Sequence, residues 1–366
     1  MAQPLLPDLL IEGYRGLRRL ELKKLGNVNL LVGENGVGKT SVLEAVRLYS
    51  SHAAFPVLGD LLQNRDEIVD PYSPAHLSAL FTGRPLRFHS DHSSALIPKI
   101  NVGTVDSPLS FVIRWSTRTV ESDGAIRYVF PDQNNFLDPI ERFTTICVEQ
   151  RGTRLRFAPL HRGPAPYSAE YVDLPGMSQN PSHFYIPAHG LDGLSVASQW
   201  DKIVLTRAED EVNDELNRLS SQIQRVSVIQ GIDGNRRVMA KVSAFERPVP
   251  LHSLGEGIHR FLGITLALVN ARDGFLLIDE FENGLHYKTQ EALWKFVIRA
   301  ARKLNVQVFA TTHSRDCIDA FGRAAEEDQD SFGVLTKLER IGEDVVAKQL
   351  YEDDIVIASQ NLVEIR

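Results

Sequence analysis

Cysteine is almost missing from this chain: Cys147 and Cys317 are the only two in 366 residues. Two thiols build neither a disulfide framework nor a four-cysteine zinc site, and neither lies in a nucleophile motif, so each is expected to be an inert buried thiol. Long hydrophobic runs are missing too. Mostly apolar stretches such as Phe261 to Val269 fall well short of the roughly 20 residues a membrane span needs. The opening MAQPLLPDLL has no charged region followed by a long apolar stretch, so no secretory leader is expected. Positive charge is in deficit, with 40 Lys and Arg against 47 Asp and Glu and a net charge of −7. That excludes a surface basic everywhere, as a nucleic-acid coat would require, and leaves only a local basic patch open. Internal repeats are absent. What remains, 43% hydrophobic and 24% charged residues, is a globular chain with a sizeable core, expected in the cytoplasm and without a membrane partner.

The informative stretches lie at the two ends. Val28-Asn29-Leu30-Leu31-Val32 reads as a short strand, and after a glycine-rich turn Val42, Ala45, Val46, Leu48 and Tyr49 recur at helical spacing. The turn itself, Gly33-Glu34-Asn35-Gly36-Val37-Gly38-Lys39-Thr40, followed by Ser41, fits the phosphate-binding pattern G-x-x-x-x-G-K-[ST]. From average residue usage, a chance match in a chain of this length has odds on the order of one in a hundred. Glycines let consecutive N–H groups curl around phosphate oxygens, and the helix that follows adds the positive end of its dipole. Lys39 is expected on the β and γ phosphates and Thr40 on Mg²⁺, so ATP and Mg²⁺ are the expected ligands.

Far downstream, Phe275-Leu276-Leu277-Ile278 is a continuous apolar run suited to a buried parallel strand, and it ends in Asp279-Glu280. Asp279 can hold Mg²⁺ and Glu280 can deprotonate an attacking water. Ala310-Thr311-Thr312-His313-Ser314 closes the next strand-like run, setting His313 at the same sheet edge, within reach of a γ-phosphate. Between these ends, Leu109–Trp115, Ile126–Phe130, Phe143–Glu149 and Arg154–Ala158 read as strands, and 159–181 as a long irregular connection. Val212, Leu216, Leu219, Ile223 and Val226 form a short heptad-like seam, expected to be one amphipathic helix on the domain rather than a coiled-coil arm. Asp233-Gly234-Asn235 marks a hairpin. His89, Asp91 and His92 are expected to belong to a polar loop, and Arg15, Arg18, Arg19, Lys23 and Lys24 to solvated strand faces rather than a DNA-facing patch.

This set of motifs resembles the ABC-class ATPase heads of the structural-maintenance-of-chromosomes, RecF-like and OLD-like families, and most of all the compact OLD-like ATPases of bacterial defence loci. The resemblance covers residues 8 to 50 and 245 to 316. It implies an α/β P-loop NTPase head of ABC/SMC type, split into 1–50 and 245–366, with a mixed β/α insertion over 51–244 that carries a helix near 200–226. It also implies that Arg15, after a first strand at Leu10, lies near the nucleotide, and that 362–366 resembles the closing strand. Ser253-Leu254-Gly255-Glu256-Gly257 corresponds to the signature loop, with Ser253, Gly255 and Gly257 facing ATP held by a second subunit. Glu282 to His286 resembles the loop that crosses the dimer interface, and Gln63 stands where a glutamine loop is due. Residues 314–366 are too few for the Toprim nuclease domain of OLD-like nucleases and lack its acidic cluster. The expected function is therefore an ATPase working as a head-to-tail homodimer that regulates a separately encoded effector, a nuclease or toxin. A RecF- or SMC-like clamp on DNA is the alternative, and a transporter motor is disfavoured by the altered signature.

Overall fold

The computed structural model describes residues 4–68, 74–85, 98–120, 122, 126–130, 142–159, 172–173, 181–231, 234–327 and 333–351. From the N-terminus, β1 (Leu9–Tyr14), β2 (Leu17–Leu22) and β3 (Val28–Val32) lead into α1 (Lys39–Ser50) and α2 (Phe55–Gln63). Six strands follow: β4 (Lys99–Gly103), β5 (Leu109–Val120), β6 (Ile126–Val129), β7 (Arg142–Gln150), β8 (Thr153–Pro159) and β9 (Val172–Asp173). Then come β10 (His183–Ile186), α3 (Gly193–Asp201), α4 (Arg207–Leu219), β11 (Ile223–Gln230), β12 (Arg236–Val242) and β13 (Val249–Pro250). The chain continues through α5 (Glu256–Asn270), β14 (Phe275–Ile278), α6 (Tyr287–Leu304), β15 (Gln307–Thr311), α7 (Arg315–Glu327), β16 (Gly333–Ile341) and β17 (Asp344–Leu350).

The central sheet has the order β10-β14-β15-β3-β16-β17, parallel except for the β16–β17 hairpin. Strands β3, β14 and β15 are buried along their whole length because both faces of the sheet are covered, and alternate residues serve different layers. Leu30, Leu276, Ile278 and Val308 join the core formed with α5, α6 and α7, whereas Leu31, Leu277 and Phe309 face the core around α1. That second core is closed by the antiparallel sheet β2-β1-β4-β5-β7-β8-β9, with β6 on β5. Helix α1 is thus enclosed between two sheets, and its polar residues Glu44 and Arg47 are buried with the apolar ones.

The strands read from sequence between 109 and 158 are present as β5 to β8, and Gly234 sits at φ 78° in the β11–β12 turn. Two features differ from the reading. Stretch 51–244 supplies β4 to β9 to the sheet begun by β1 and β2, and its β10 pairs with β14 in the parallel sheet, so its strands complete both sheets. The seam from Val212 to Val226 is not one helix. Helix α4 ends at Leu219, where Ser220 turns extended, and Ile223 and Val226 are inward residues of β11. A strand bending back over a helix presents apolar residues to the same core, and that mimics a continuing heptad. His89, Asp91, His92 and residues 362–366 lie outside the described residues.

Candidate active site

Parallel strands deliver their carboxyl ends to one edge, and the site forms there. β3 is followed by Gly33, β14 by Asp279, β15 by Thr312 and β10 by Pro187. Gly33 has φ 142°, and a Cβ there would lie 2.4 Å from the Leu338 carbonyl oxygen. Gly38, at φ 118°, precedes α1 without any side-chain cap. The first N–H groups of α1 therefore face the cleft with no side chain of the loop competing for them, which is the cradle a phosphate chain requires. Lys39 folds back over the loop, its Nζ donating to the carbonyls of Gly33 (2.7 Å) and Glu34 (3.0 Å). Burial pulls its pKa down, against the opposing pull of Asp279, Glu280 and Glu282.

Thr40 Oγ1 donates to the Asp279 carboxylate at 3.1 Å, and Thr311 Oγ1 donates to the same carboxylate at 2.6 Å. A hydroxyl beside a carboxylate is an all-oxygen donor pair suited to a hard divalent cation, so Mg²⁺ fits between Thr40 and Asp279. Glu280 adopts φ 48°, unusual for a residue with a Cβ. Its N–H donates to Thr311 Oγ1 at 2.8 Å, and Asn283 donates to Glu280 Oε2 and to the Ala188 carbonyl. Phe281 anchors the turn from behind, stacked on Trp294 with ring centroids 3.7 Å apart. His313 Nδ1 lies 3.2 Å from Glu282 and 4.0 Å from Glu280, with the imidazole half exposed.

A cleft of about 510 Å³ is lined by Asn35, Gly36, Gly38, Lys39, Thr40, Ser41, Asp279, Glu280 and Thr311, whereas His313, expected within reach of a γ-phosphate, is not among its lining residues. Tyr185 on β10 and Pro187, Ala188 and His189 after it also line the cleft, as do Glu44, Arg47, Leu61, Asn64 and Arg65. None of these residues was read from the sequence as part of a site. Arg15 does not line the cleft. Its guanidinium is held by Glu44 (2.8 Å), Glu67 (2.7 Å) and the Leu61 carbonyl (3.0 Å), because the buried Glu44 needs a cation. Gln63 is exposed, and the next two residues, Asn64 and Arg65, reach the cleft in its place. Ser253, Gly255 and Gly257 lie outside the cleft, at the exposed start of α5, where Gly255 has no capping side chain. Gly257 fits tightly: a Cβ there would stand 2.8 Å from the Gly284 carbonyl oxygen.

Comparison with known proteins agrees with this geometry. The profile of the family described as "AAA domain, putative AbiEii toxin, Type IV TA system" matches residues 173–316, and that of a "Protein of unknown function (DUF2813)" matches 5–56. A protein named ATP/GTP phosphatase from Helicobacter pylori is 23% identical over 96% of this chain and 97% of its own length. These likenesses and the geometry of the cleft support a P-loop ATPase with a head of ABC/SMC-like fold. A DNA replication and repair protein RecF from Rickettsia canadensis is 48% identical, but over only 12% of each chain. The structure of an SMC head bound to the C-winged helix domain of ScpA superposes with a TM-score of 0.51 at 10% identity, covering 96% of this ATPase and 99% of that chain, a likeness of fold. Among the described residues of the ATPase, no helix is long and apolar enough to cross a membrane.

Proposed function

We propose that this ATPase is a nucleotide-driven switch that closes head to tail on a second copy of itself and controls a separately encoded effector, a nuclease or toxin, in the cytoplasm. One observation carries the dimer: the glycine-flanked start of α5 is exposed, uncapped and not part of the lining of its own chain's cleft. A helix N-terminus of that kind suits a γ-phosphate held by a partner. The toxin–antitoxin description of the matching profile favours an effector of that type.

In this reading Gly36, Gly38 and Ser41 cradle the phosphate chain, and Lys39 exchanges the Gly33 and Glu34 carbonyls for phosphate oxygens. Thr40 and Asp279 hold Mg²⁺, which offsets the negative charge on the β and γ oxygens. Glu280 orients the water and takes its proton as the water oxygen bonds to the γ-phosphorus and the bond to the β,γ-bridging oxygen breaks. His313, its Nδ1 side occupied by Glu282, turns Nε2 to the γ-phosphate. Asn35 and the partner's signature residues complete the enclosure.

Light scattering on the Glu280→Gln protein, with and without Mg-ATP and with Lys39→Ala as control, tests the switch. The expected result is an ATP-dependent shift from monomer to dimer that Lys39→Ala does not show. An assembly indifferent to ATP removes the dimer switch and leaves the ATP site. A DNA clamp is the second reading, favoured by the short stretch of RecF likeness; binding to duplex that requires ATP and falls steeply with salt would select it.

A further inference from the structure

Arg260 stands in the first turns of α5, after the signature loop, and is almost entirely buried. Among the described residues it has no carboxylate at ion-pair distance. Its Nη2 instead donates to the carbonyls of Asp279 (2.8 Å) and Glu280 (2.9 Å), and its Nη1 to the carbonyl of Pro187 (2.7 Å). Three carbonyls from the ends of two adjacent strands thus converge on one guanidinium. Burial lowers its pKa, opposed by the charges of Asp279, Glu282 and Glu280. A buried cation that spends its donors on neutral carbonyls needs a reason, because a leucine would fill such a space without desolvating a charge.

The backbone at Glu280 supplies that reason. A glutamate at φ 48° persists only where its surroundings hold it there. The residue's N–H is fixed by Thr311, its side chain by Asn283, and its carbonyl by Arg260. We infer that Arg260 is a positioning residue for the Asp279–Glu280 turn: it fixes the two carbonyls so that the Glu280 carboxylate faces the cleft, and it ties that aim to the placement of α5. The inference rests on the ATPase reading and on Glu280 as its base. Lysine keeps the charge but, as a single ammonium, cannot bridge three carbonyls in the planar fork that arginine offers.

The test compares wild type, Glu280→Gln, Arg260→Lys and Arg260→Ala. Arg260→Lys is expected to lower kcat about tenfold or more, while KM and the Kd for a fluorescent ATP analogue stay within about threefold and the thermal midpoint stays near wild type. Millimolar guanidinium added to Arg260→Ala should restore part of the lost turnover. Should Arg260→Ala not fold, Arg260→Lys decides alone. If Glu280→Gln is inactive but Arg260→Lys turns over like wild type, or loses rate only through KM, the positioning role is overturned and the base assignment stands. Wild-type protein that binds ATP without hydrolysing it overturns both.

Discussion

At residue scale the site depends on a few groups whose partners are fixed by hydrogen bonds. Glu280→Gln keeps the hydrogen bond from Asn283 and removes the base, so turnover should fall at least about a hundredfold with ATP still bound, read by a phosphate-release assay beside equilibrium binding. Lys39→Ala should abolish binding itself. Asn283→Ala frees the Glu280 carboxylate from a donor also tied to the Ala188 carbonyl; a loss of about tenfold in kcat with KM little changed is expected from steady-state kinetics. Lys39, Thr40, Asp279 and Glu280, which line the cleft, were legible in the sequence because their spacing after apolar strands is itself a pattern. Thr311, Asn283 and Arg260 were not, since they act on backbone or on each other across strand ends that only the fold brings together. Arg15, expected near the nucleotide, was not legible as the partner of Glu44, whose burial in α1 depends on the antiparallel sheet.

Among the elements, α5 joins the signature loop to the acid turn. Its first turn packs so closely on the Asn283–Gly284 loop that Gly257→Ala must push the Gly284 carbonyl aside. Overpacking of this kind costs roughly 1–3 kcal/mol, and denaturant unfolding should show it with ATP binding retained. The same helix carries a pH dependence. His259 is buried and stacked on His252, ring centroids 4.0 Å apart; burial first, then the neighbouring imidazole, holds its pKa below the usual histidine range despite Glu256. The folded state resists a proton that the unfolded chain accepts near a pKa of about 6.5. Stability is therefore full above that pH and declines as pH falls through it toward the lower folded value. Urea titrations at pH 8, 6 and 5 should show the decline, and His259→Gln should flatten it. Strands β3, β14 and β15 and helix α1 were legible from apolar runs and periodicity, whereas the α4–β11 break was not, because a strand folded onto the same core as the preceding helix keeps the apolar spacing intact.

For the whole molecule, charge is balanced locally. Arg18 pairs with Glu343, Arg19 with Glu12 and Lys23 with Glu21, so the basic residues near β2 are largely neutralised. A single copy should then bind duplex DNA no more tightly than about 10 µM at physiological salt. Fluorescence anisotropy with a labelled duplex, with and without a slowly hydrolysed ATP analogue, checks this, and tight ATP-dependent binding would mean that a second copy builds the groove.

The central strand β3 also governs how the protein is made. It carries the phosphate loop, yet its neighbours in the sheet are β15 and β16, and Asn29 hydrogen-bonds to Val308, 279 positions away in sequence. At about 5–20 residues per second of synthesis, Val28–Val32 waits on the order of tens of seconds at the ribosome before its sheet neighbours β15 and β16 are made. During that interval the nascent chain has a phosphate loop without the acids, threonine and histidine that complete the site. It lacks the acids needed to hydrolyse nucleotide prematurely, and the unpaired edges of that strand are open to pairing with another chain.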